Sequence, residues 1–238
     1  MILYGTGIAD RILFDLKETI SFKRLKLKLA VVLVGNDKKS EIYVAKKGEA
    51  ARKVGIDFEL IKLSADISEV ELESEVKKVV ADRTVSGIVV QLPLPKSIDA
   101  KKIIDLLGDK DAEAVSPVVC AISQIIDEYQ ISLKGKKIVL VGSGILVGGP
   151  VGRWLKNQGL DFFGIDEVNS ADIVISGAGQ RNLIKRDMIK EGAVIIDVGG
   201  DADFENLKNK AGSITPIVGG VGPVTVACLL KSLVKMNS

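Results

Sequence analysis

The chain has 238 residues, of which 47% are hydrophobic, enough to bury a sizeable core in one large or two modest domains. Its 33 basic and 31 acidic residues nearly balance, and no basic stripe is interleaved with aromatic residues, so we expect no nucleic-acid partner. Histidine is absent, which removes the commonest general base and transition-metal ligand, and we expect no metal site. Acid–base chemistry must therefore use lysine, tyrosine or carboxylates.

The cysteines and the hydropathy pattern bear on the compartment. Cys120 and Cys228 lie far apart in apolar segments, which favours reduced core thiols in a cytosolic protein over a disulfide. We find no signal peptide and no stretch that reaches the roughly 18 consecutive apolar residues of a membrane-spanning helix. The sequence therefore predicts a cytoplasmic protein without a membrane partner.

Helices and strands alternate along the N-terminal half. The predicted strands cover residues 29–34, 58–63 and 87–91, and the predicted helices cover 7–25, 68–82, 99–107 and a segment from an N-cap at Asp37 or Ser40 to 54. This alternation predicts right-handed βαβ units, and hence an α/β fold.

The helix after the first strand groups three polar side chains. Ser40, Tyr43 and Lys47 stand at i, i+3 and i+7, so that a hydroxyl, a phenol and an amine share one face. This face is a candidate proton-transfer site. Taken alone, it is also typical of a solvated surface helix.

The strand at 87–91 leads directly into Gln91-Leu92-Pro93-Leu94-Pro95. In open α/β sheets, ligands gather beyond the carboxyl ends of the strands, where Gln91 would lie. The two prolines stiffen the loop and remove backbone donors. The amide of Gln91 is therefore a candidate ligand contact, while an ordinary strand-to-helix loop has the same appearance.

A second α/β unit follows a domain boundary that we place near Ser116. Its predicted helices cover 119–129, 151–158, 185–190 and 224–236, and its predicted strands cover 136–142, 160–165, 172–176 and 193–198. We expect an N-terminal lobe of residues 1–116, completed by the helix at 224–238, and a Rossmann-like dinucleotide-binding lobe of residues 117–223.

The second unit opens with a glycine-rich loop that runs from Gly142 to Pro150. Between a strand and a helix, such a loop lets backbone amides approach a phosphate. The spacing is G-x-G-x-x-x-G and not the standard G-x-G-x-x-G, so a tight turn without a ligand is an equal alternative. Asp166, about 20 residues later, is either an acid that holds an adenosine ribose or a turn residue.

Four segments in this order resemble the bifunctional methylenetetrahydrofolate dehydrogenase/cyclohydrolase family. They are residues 34–47 with S-E-I-Y-V-A-K-K, residues 87–95 with Q-L-P-L-P, residues 145–150, and residues 215–225 with G-G-V-G-P. The resemblance covers nearly the whole chain. It implies two α/β lobes, with the C-terminal helix packing back on the first lobe, and a homodimer formed through the cofactor lobe.

The resemblance also implies an activity and a set of site residues. The family oxidises 5,10-methylenetetrahydrofolate by hydride transfer to NADP or NAD, and hydrolyses the methenyl product to 10-formyltetrahydrofolate. The implied catalytic residues are Lys47, Tyr43 and Gln91; the implied substrate-binding residues are Ser40, Tyr43, Glu113, Gly219, Gly220 and Pro223; the implied cofactor-binding residues are Gly142, Ser143, Gly144 and Gly200.

The chain departs from the family pattern mainly on the cofactor side. Glu113 stands where the family usually has aspartate, Ser143 where it usually has an arginine, and Gly200 where it usually has isoleucine. The loop after residue 165 is also shortened. Two alternatives to the bifunctional enzyme therefore remain: a monofunctional cyclohydrolase with a degenerate cofactor site, and a non-catalytic folate-binding protein.

A short-chain dehydrogenase is a further alternative, because Tyr43 and Lys47 also fit the Y-x-x-x-K pair of that class. In that class the glycine loop precedes the pair, whereas in this chain it follows about 95 residues later. The order of the two motifs therefore disfavours this assignment.

Overall fold

The computed structural model describes all 238 residues and contains two compact α/β units. The three-stranded unit comprises Arg11–Val115 and Leu229–Ser238, and the five-stranded unit comprises Met1–Asp10 and Ser116–Cys228. Both sheets are parallel throughout. The α/β class that the sequence predicts is therefore confirmed.

Sixteen helices and strands make up the chain. The strands are β1 Lys28–Val34, β2 Asp57–Leu63, β3 Gly87–Val90, β4 Ile138–Val141, β5 Phe162–Phe163, β6 Ile173–Ser176, β7 Val194–Asp197 and β8 Ser213–Ile214. The α-helices are α1 Thr6–Lys23, α2 Lys38–Lys53, α3 Glu69–Ala81, α4 Ala100–Asp105, α5 Pro117–Glu128, α6 Gly148–Asn157, α7 Phe204–Leu207 and α8 Val221–Met236. Short 3₁₀ turns cover Gly108–Lys110, Ile165–Ser170 and Arg186–Met188.

The three-stranded unit has the strand order β2-β1-β3, with β1 in the centre. Six of the seven residues of β1 are buried, as expected for a parallel strand that is covered on both faces. Leu72 and Val76 of α3 pack with Ile103 of α4 in the core of this unit. The C-terminal half of α8 packs here too, since a Cβ on Gly87 of β3 would collide with the Leu233 side chain. The predicted packing of the C-terminal helix on the first lobe is confirmed.

The five-stranded unit has the order β5-β4-β6-β7-β8. Its first strand therefore lies inside the sheet, and the order reverses between β4 and β6, where ligands bind in open α/β sheets. Two buried carboxylates join the strand ends at this edge. Asp197 accepts the amides of Gly200, Asp201 and Ala202, and Asp201 accepts the Ser176 hydroxyl.

The sequence placed the starts of two helices too late. Helix α6 begins at Gly148 and α8 at Val221, whereas we predicted starts at 151 and 224. In each case a proline, Pro150 or Pro223, is the third residue of the helix. Proline is tolerated there because the first amides of a helix have no partner within the helix, so its missing N–H costs nothing.

Short elements in the C-terminal half were also mispredicted. The helix predicted at 185–190 is only the 3₁₀ turn Arg186–Met188, and α7 and β8 were not predicted at all. These elements have four residues or fewer, which is too short for either hydrophobic period to be visible in the sequence.

The prediction of two reduced thiols is wrong, because the structure joins Cys120 of α5 to Cys228 of α8 in a disulfide. Their Cα atoms lie 6.1 Å apart, although 108 positions separate them along the chain. This spacing is within the usual range for a disulfide. Such a separation gives no sign in the sequence that the fold brings the two helices together.

None of the helices is both long enough and apolar enough to cross a membrane.

We predict that Gly148→Ala destabilises the protein, because an added Cβ would collide with the backbone carbonyl of Gly142. Overpacking of this kind costs about 1–3 kcal/mol or more. Gly144→Ala, in the same loop, is the control, since its Cβ would meet nothing within 4 Å. Urea unfolding should show a lower midpoint for Gly148→Ala only. Equal midpoints for the two variants would contradict the packing.

Candidate active site

Two strand ends and one helix assemble a polar cluster in the three-stranded unit. Helix α2 follows β1, and Gln91 follows β3, which pairs directly with β1. The carboxyl ends of these parallel strands meet at one sheet edge, so Lys47 on α2 and Gln91 come together. The Lys47 Nζ atom donates to Gln91 Oε1 at 3.2 Å. The residue is only 7% exposed, so the sequence alternative of a solvated helix face does not hold at Lys47.

Glu113 joins this cluster because the chain before it extends the sheet. Asp111 forms a parallel bridge with Ile88 of β3, and the Ala112 amide donates to the Ile88 carbonyl at 3.0 Å. The Glu113 carboxylate then lies 3.0 Å from Lys47 Nζ. The sequence identified Glu113 as a substrate contact but not as the ion-pair partner of Lys47.

The orientation of the Gln91 amide is fixed by its second hydrogen bond. Its Nε2 atom donates to the Leu92 carbonyl at 2.8 Å, so that Oε1 faces Lys47. An ammonium group has three N–H donors, and Gln91 and Glu113 accept two of them. One donor of Lys47 therefore remains for a ligand.

Tyr43 and Ser40 lie on the same helix, but in different environments. Tyr43, one turn before Lys47, is 45% exposed, which leaves its ring accessible to a ligand. Ser40 is buried, and its hydroxyl donates to Asp37, the N-cap of α2, at 2.9 Å. The amide and hydroxyl of Ser40 lower the pKa of Asp37. The structure thus resolves the N-cap in favour of Asp37 and gives Ser40 a structural partner.

Asp111 lies next to the cluster and has a perturbed carboxyl group. Burial raises the pKa of Asp111, and the negative charge of Glu113 adds to this effect. The Glu113 amide, which donates to Asp111 at 2.9 Å, acts in the opposite direction. The net shift is upward because loss of water costs the charged form more than one hydrogen bond returns.

A cavity of about 710 Å³ opens at the sheet edge of the five-stranded unit, where the strand order reverses. Gly142 and Ser143, which follow β4, line the cavity together with Gly148 and Gly149 at the start of α6. A Cβ at Gly142 would lie 2.9 Å from the Ala178 backbone, so only glycine allows the ends of β4 and β6 to approach this closely. This glycine-lined hollow at a helix N-terminus is the geometry that holds a dinucleotide phosphate.

The sequence did not identify several residues that line this cavity. They are Arg153 and Lys156 of α6, Phe162 and Phe163 of β5, Gly164, and Gln180. The signal that could have found them is the pair of basic residues one turn apart on the helix after the glycine loop. Asp166, the candidate ribose acid, does not line the cavity.

Other predicted residues lie elsewhere in the five-stranded unit. Gly144 and Gly200 do not line the cavity, and the Gly200 amide donates to Asp197. Gly219 and Gly220 precede α8, and Pro223 lies in its first turn. The Gly219 carbonyl accepts the Gly5 amide at 2.7 Å. Ligand roles for these five residues stay predictions.

Two family models together cover almost the whole chain. Residues 3–113 match the catalytic domain of tetrahydrofolate dehydrogenase/cyclohydrolase, and residues 116–238 match its NAD(P)-binding domain. A relative named bifunctional protein FolD, from Moorella thermoacetica, is 39% identical over 98% of this chain and 97% of its own length.

Solved structures of similar proteins agree with this match. The bifunctional FolD dehydrogenase/cyclohydrolase from Campylobacter jejuni is 32% identical with a TM-score of 0.89, and covers 99% of this chain and 98% of its own. The Trypanosoma brucei methylenetetrahydrofolate dehydrogenase-cyclohydrolase, solved with NADP and an inhibitor, is 29% identical with a TM-score of 0.92 and covers 99% and 96%.

We predict that Asp111→Asn changes the pH dependence of stability. Because the pKa of Asp111 is raised in the folded state, its stabilising contribution is complete below the ordinary aspartate pKa and is lost as the pH rises through the folded value. Asparagine stays neutral and can still accept the Glu113 amide. Thermal unfolding from pH 3 to 7 should therefore show Asp111→Asn gaining on the native protein as the pH rises. A constant difference in melting temperature would contradict the raised pKa.

Proposed function

Since the chain belongs to the tetrahydrofolate dehydrogenase/cyclohydrolase family, we propose that Lys47, Gln91 and Glu113 form its folate-side reaction centre. The chain is an NAD(P)-dependent enzyme that oxidises 5,10-methylenetetrahydrofolate to the methenyl form and hydrolyses that product to 10-formyltetrahydrofolate. The comparisons support this bifunctional activity over a monofunctional cyclohydrolase or a folate-binding protein. The observation that carries the residue assignment is the buried Lys47, held by two polar partners at a sheet edge.

The hydrolysis step needs one water and one proton acceptor. The methenyl carbon is a cationic amidinium, and the water oxygen forms a bond to it while one O–H proton leaves. The second O–H proton is then transferred to one ring nitrogen as the bond from the carbon to that nitrogen breaks, and the oxygen becomes the carbonyl of the formyl group. Lys47 holds or takes the proton of the attacking water, and Gln91 orients both groups.

Glu113 balances the charge of Lys47. Its carboxylate lies 3.0 Å from the Lys47 Nζ atom, so the buried amine has a counter-ion at the sheet edge. Lys47 can pass one proton to this carboxylate as it takes another from the attacking water. The Glu113 side chain is partly exposed and can release that proton to solvent, so the net reaction releases one proton.

The remaining folate contacts are assigned by position. The exposed Tyr43 ring stacks on the substrate, and Glu113 also contacts the pterin. Ser40 supports Tyr43 and Lys47 through the N-terminus of α2, where it binds Asp37. We assign Gly219, Gly220 and Pro223 to folate binding by position.

The cavity in the five-stranded unit fits the dinucleotide. Gly142 and Gly148 line it without side chains, and the N-terminus of α6 supplies a partial positive charge that favours a phosphate. When bound there, NAD(P) would supply the acceptor for the hydride of the methylene carbon. Ser143 offers a hydroxyl at the cavity wall, and we assign Gly144 and Gly200 to the same site by position.

We further propose a cytoplasmic homodimer that binds no nucleic acid. The support for a dimer is β5, an edge strand whose Phe163 is 45% exposed. The near balance of charges supports the absence of a nucleic-acid partner.

The Cys120–Cys228 disulfide bears on the cytoplasmic assignment, because disulfides are rare in cytoplasmic proteins. Thiol titration of protein extracted from cells under acid quench tests this point, and a fully oxidised pair would contradict the cytoplasmic assignment.

We predict that Lys47→Met lowers the rate of methenyltetrahydrofolate hydrolysis by roughly 10²–10⁴-fold, the usual contribution of a positioned acid–base group. Hydrolysis is followed by loss of the methenyl absorbance. Lys46→Met is the matched control, since Lys46 is the exposed neighbour on the same helix. Retention of full hydrolysis by Lys47→Met, in protein that is folded by circular dichroism, would refute the assignment.

We predict that the native protein sediments at twice the 25.4 kDa mass of the chain. The exposed apolar edge at β5 loses contact with water when two copies associate, which favours the dimer. Sedimentation velocity at micromolar concentration measures this directly. A single species at the monomer mass would overturn the dimer proposal.

A further inference from the structure

The charged residues that line the cavity are all basic. Arg153 and Lys156, one turn apart on α6, are its two charged lining residues, and no carboxylate lines it. Both side chains are exposed, and neither forms a salt bridge. The Lys156 ammonium lies 5.9 Å from the ring centroid of Phe162. The cavity wall therefore presents two positive charges to its contents.

The guanidinium of Arg153 folds back toward the glycine loop. A Cβ at Gly149 would lie 3.6 Å from Arg153 Nη1 and 3.5 Å from the Gly144 carbonyl. The same helix turn packs on β5, since a Cβ at Gly152 would touch the Phe162 ring at 3.0 Å. The Arg153 donors are therefore directed over the start of α6, on the helix whose next turn packs against β5 at Gly152.

An arginine in this wall bears on which of the two nicotinamide dinucleotides the cavity would favour. In doubly wound folds, an acid near the end of the second strand binds the ribose 2′-hydroxyl of NAD, whereas a nearby arginine accommodates the 2′-phosphate of NADP. After β5 the cavity is lined by Gly164 and Ile165, and Asp166 does not reach it. The acid that would favour the free diol is missing from the wall, and an arginine is present.

We propose that Arg153 binds the 2′-phosphate of NADP and makes NADP the preferred cofactor. A guanidinium can donate two parallel hydrogen bonds to a phosphate, and Arg153 has no acidic partner to displace. Lys156 adds a second positive charge one turn further along α6. The proposal rests on the dinucleotide half of the proposed function.

The test is calorimetric titration of the native protein and of Arg153→Met with NADP and with NAD. A charge-assisted hydrogen-bond pair of this kind corresponds to a roughly 10- to 100-fold change in affinity. We expect the Kd of Arg153→Met for NADP to rise by that factor, and its Kd for NAD to change less than about threefold. Arg153→Lys, which keeps the charge but loses the fork, should give an intermediate Kd for NADP.

Lys134→Met is the matched control for the loss of one positive charge. Lys134 is exposed in the same unit and precedes β4, at the opposite end of that strand from the glycine loop. The affinities of the Lys134→Met variant for NADP and for NAD should equal those of the native protein. A drop in NADP affinity as large as that of Arg153→Met would mean that net charge alone accounts for the effect, which would overturn the proposal.

The remaining outcomes separate this inference from the proposed function. Equal weakening of NADP and NAD by Arg153→Met would place the guanidinium on the shared pyrophosphate and refute the 2′-phosphate contact. No weakening of either would refute any phosphate role. Both results leave the dinucleotide site itself intact. Failure of the native protein to bind either dinucleotide would instead overturn the cofactor half of the proposed function, and the inference with it.

Discussion

The parallel pairing of β1 with β3 is the interaction on which the folate-side cluster depends. The backbone N–H of Gln91 donates to the Val32 carbonyl at 2.9 Å. This bond continues the β1–β3 ladder by one residue and fixes the position of Gln91 at the end of β3. A slip of one residue would turn Gln91 to the other face of the sheet, away from α2. Because β1 is the central strand, its carboxyl end is adjacent to everything that follows β3, including the extension through Asp111 to Glu113.

Removal of either partner of the Lys47–Glu113 pair would leave the other charge without compensation. Breaking a fully buried ion pair by removing one partner costs about 3–5 kcal/mol, and the partial exposure of Glu113 places this pair below that range. Glu113, where the family usually has aspartate, has one more methylene, and its carboxylate reaches Lys47 directly. The departure that raised doubt in the sequence therefore gives the lysine a charge partner in the structure.

The two units use the same physical rule for different chemistry. In both, the parallel order places loops and helix starts at a reversal point of the sheet. The three-stranded unit fills that edge with a lysine, an amide and a carboxylate, which can move protons. The five-stranded unit leaves it lined with glycines and basic side chains, which suit a phosphate group. Ser143 stands in the glycine loop where the family usually has an arginine. In this chain Arg153 of α6 presents a guanidinium to the same cavity.

The sequence by itself determined the α/β class, the long elements and the order of the motifs. Buried strands appear in it as continuous apolar runs, and helices of ten or more residues show an amphipathic period. It also identified Lys47, Gln91 and Glu113 separately. Only the tertiary structure decided that Glu113 pairs with Lys47, that Arg153 faces the cavity, and that Cys120 meets Cys228. Each of these contacts joins residues through strand pairing or helix packing, and such contacts leave no periodic signal in a single chain. Short elements such as α7 and β8 are set by the same long-range packing, so the sequence could not reveal them.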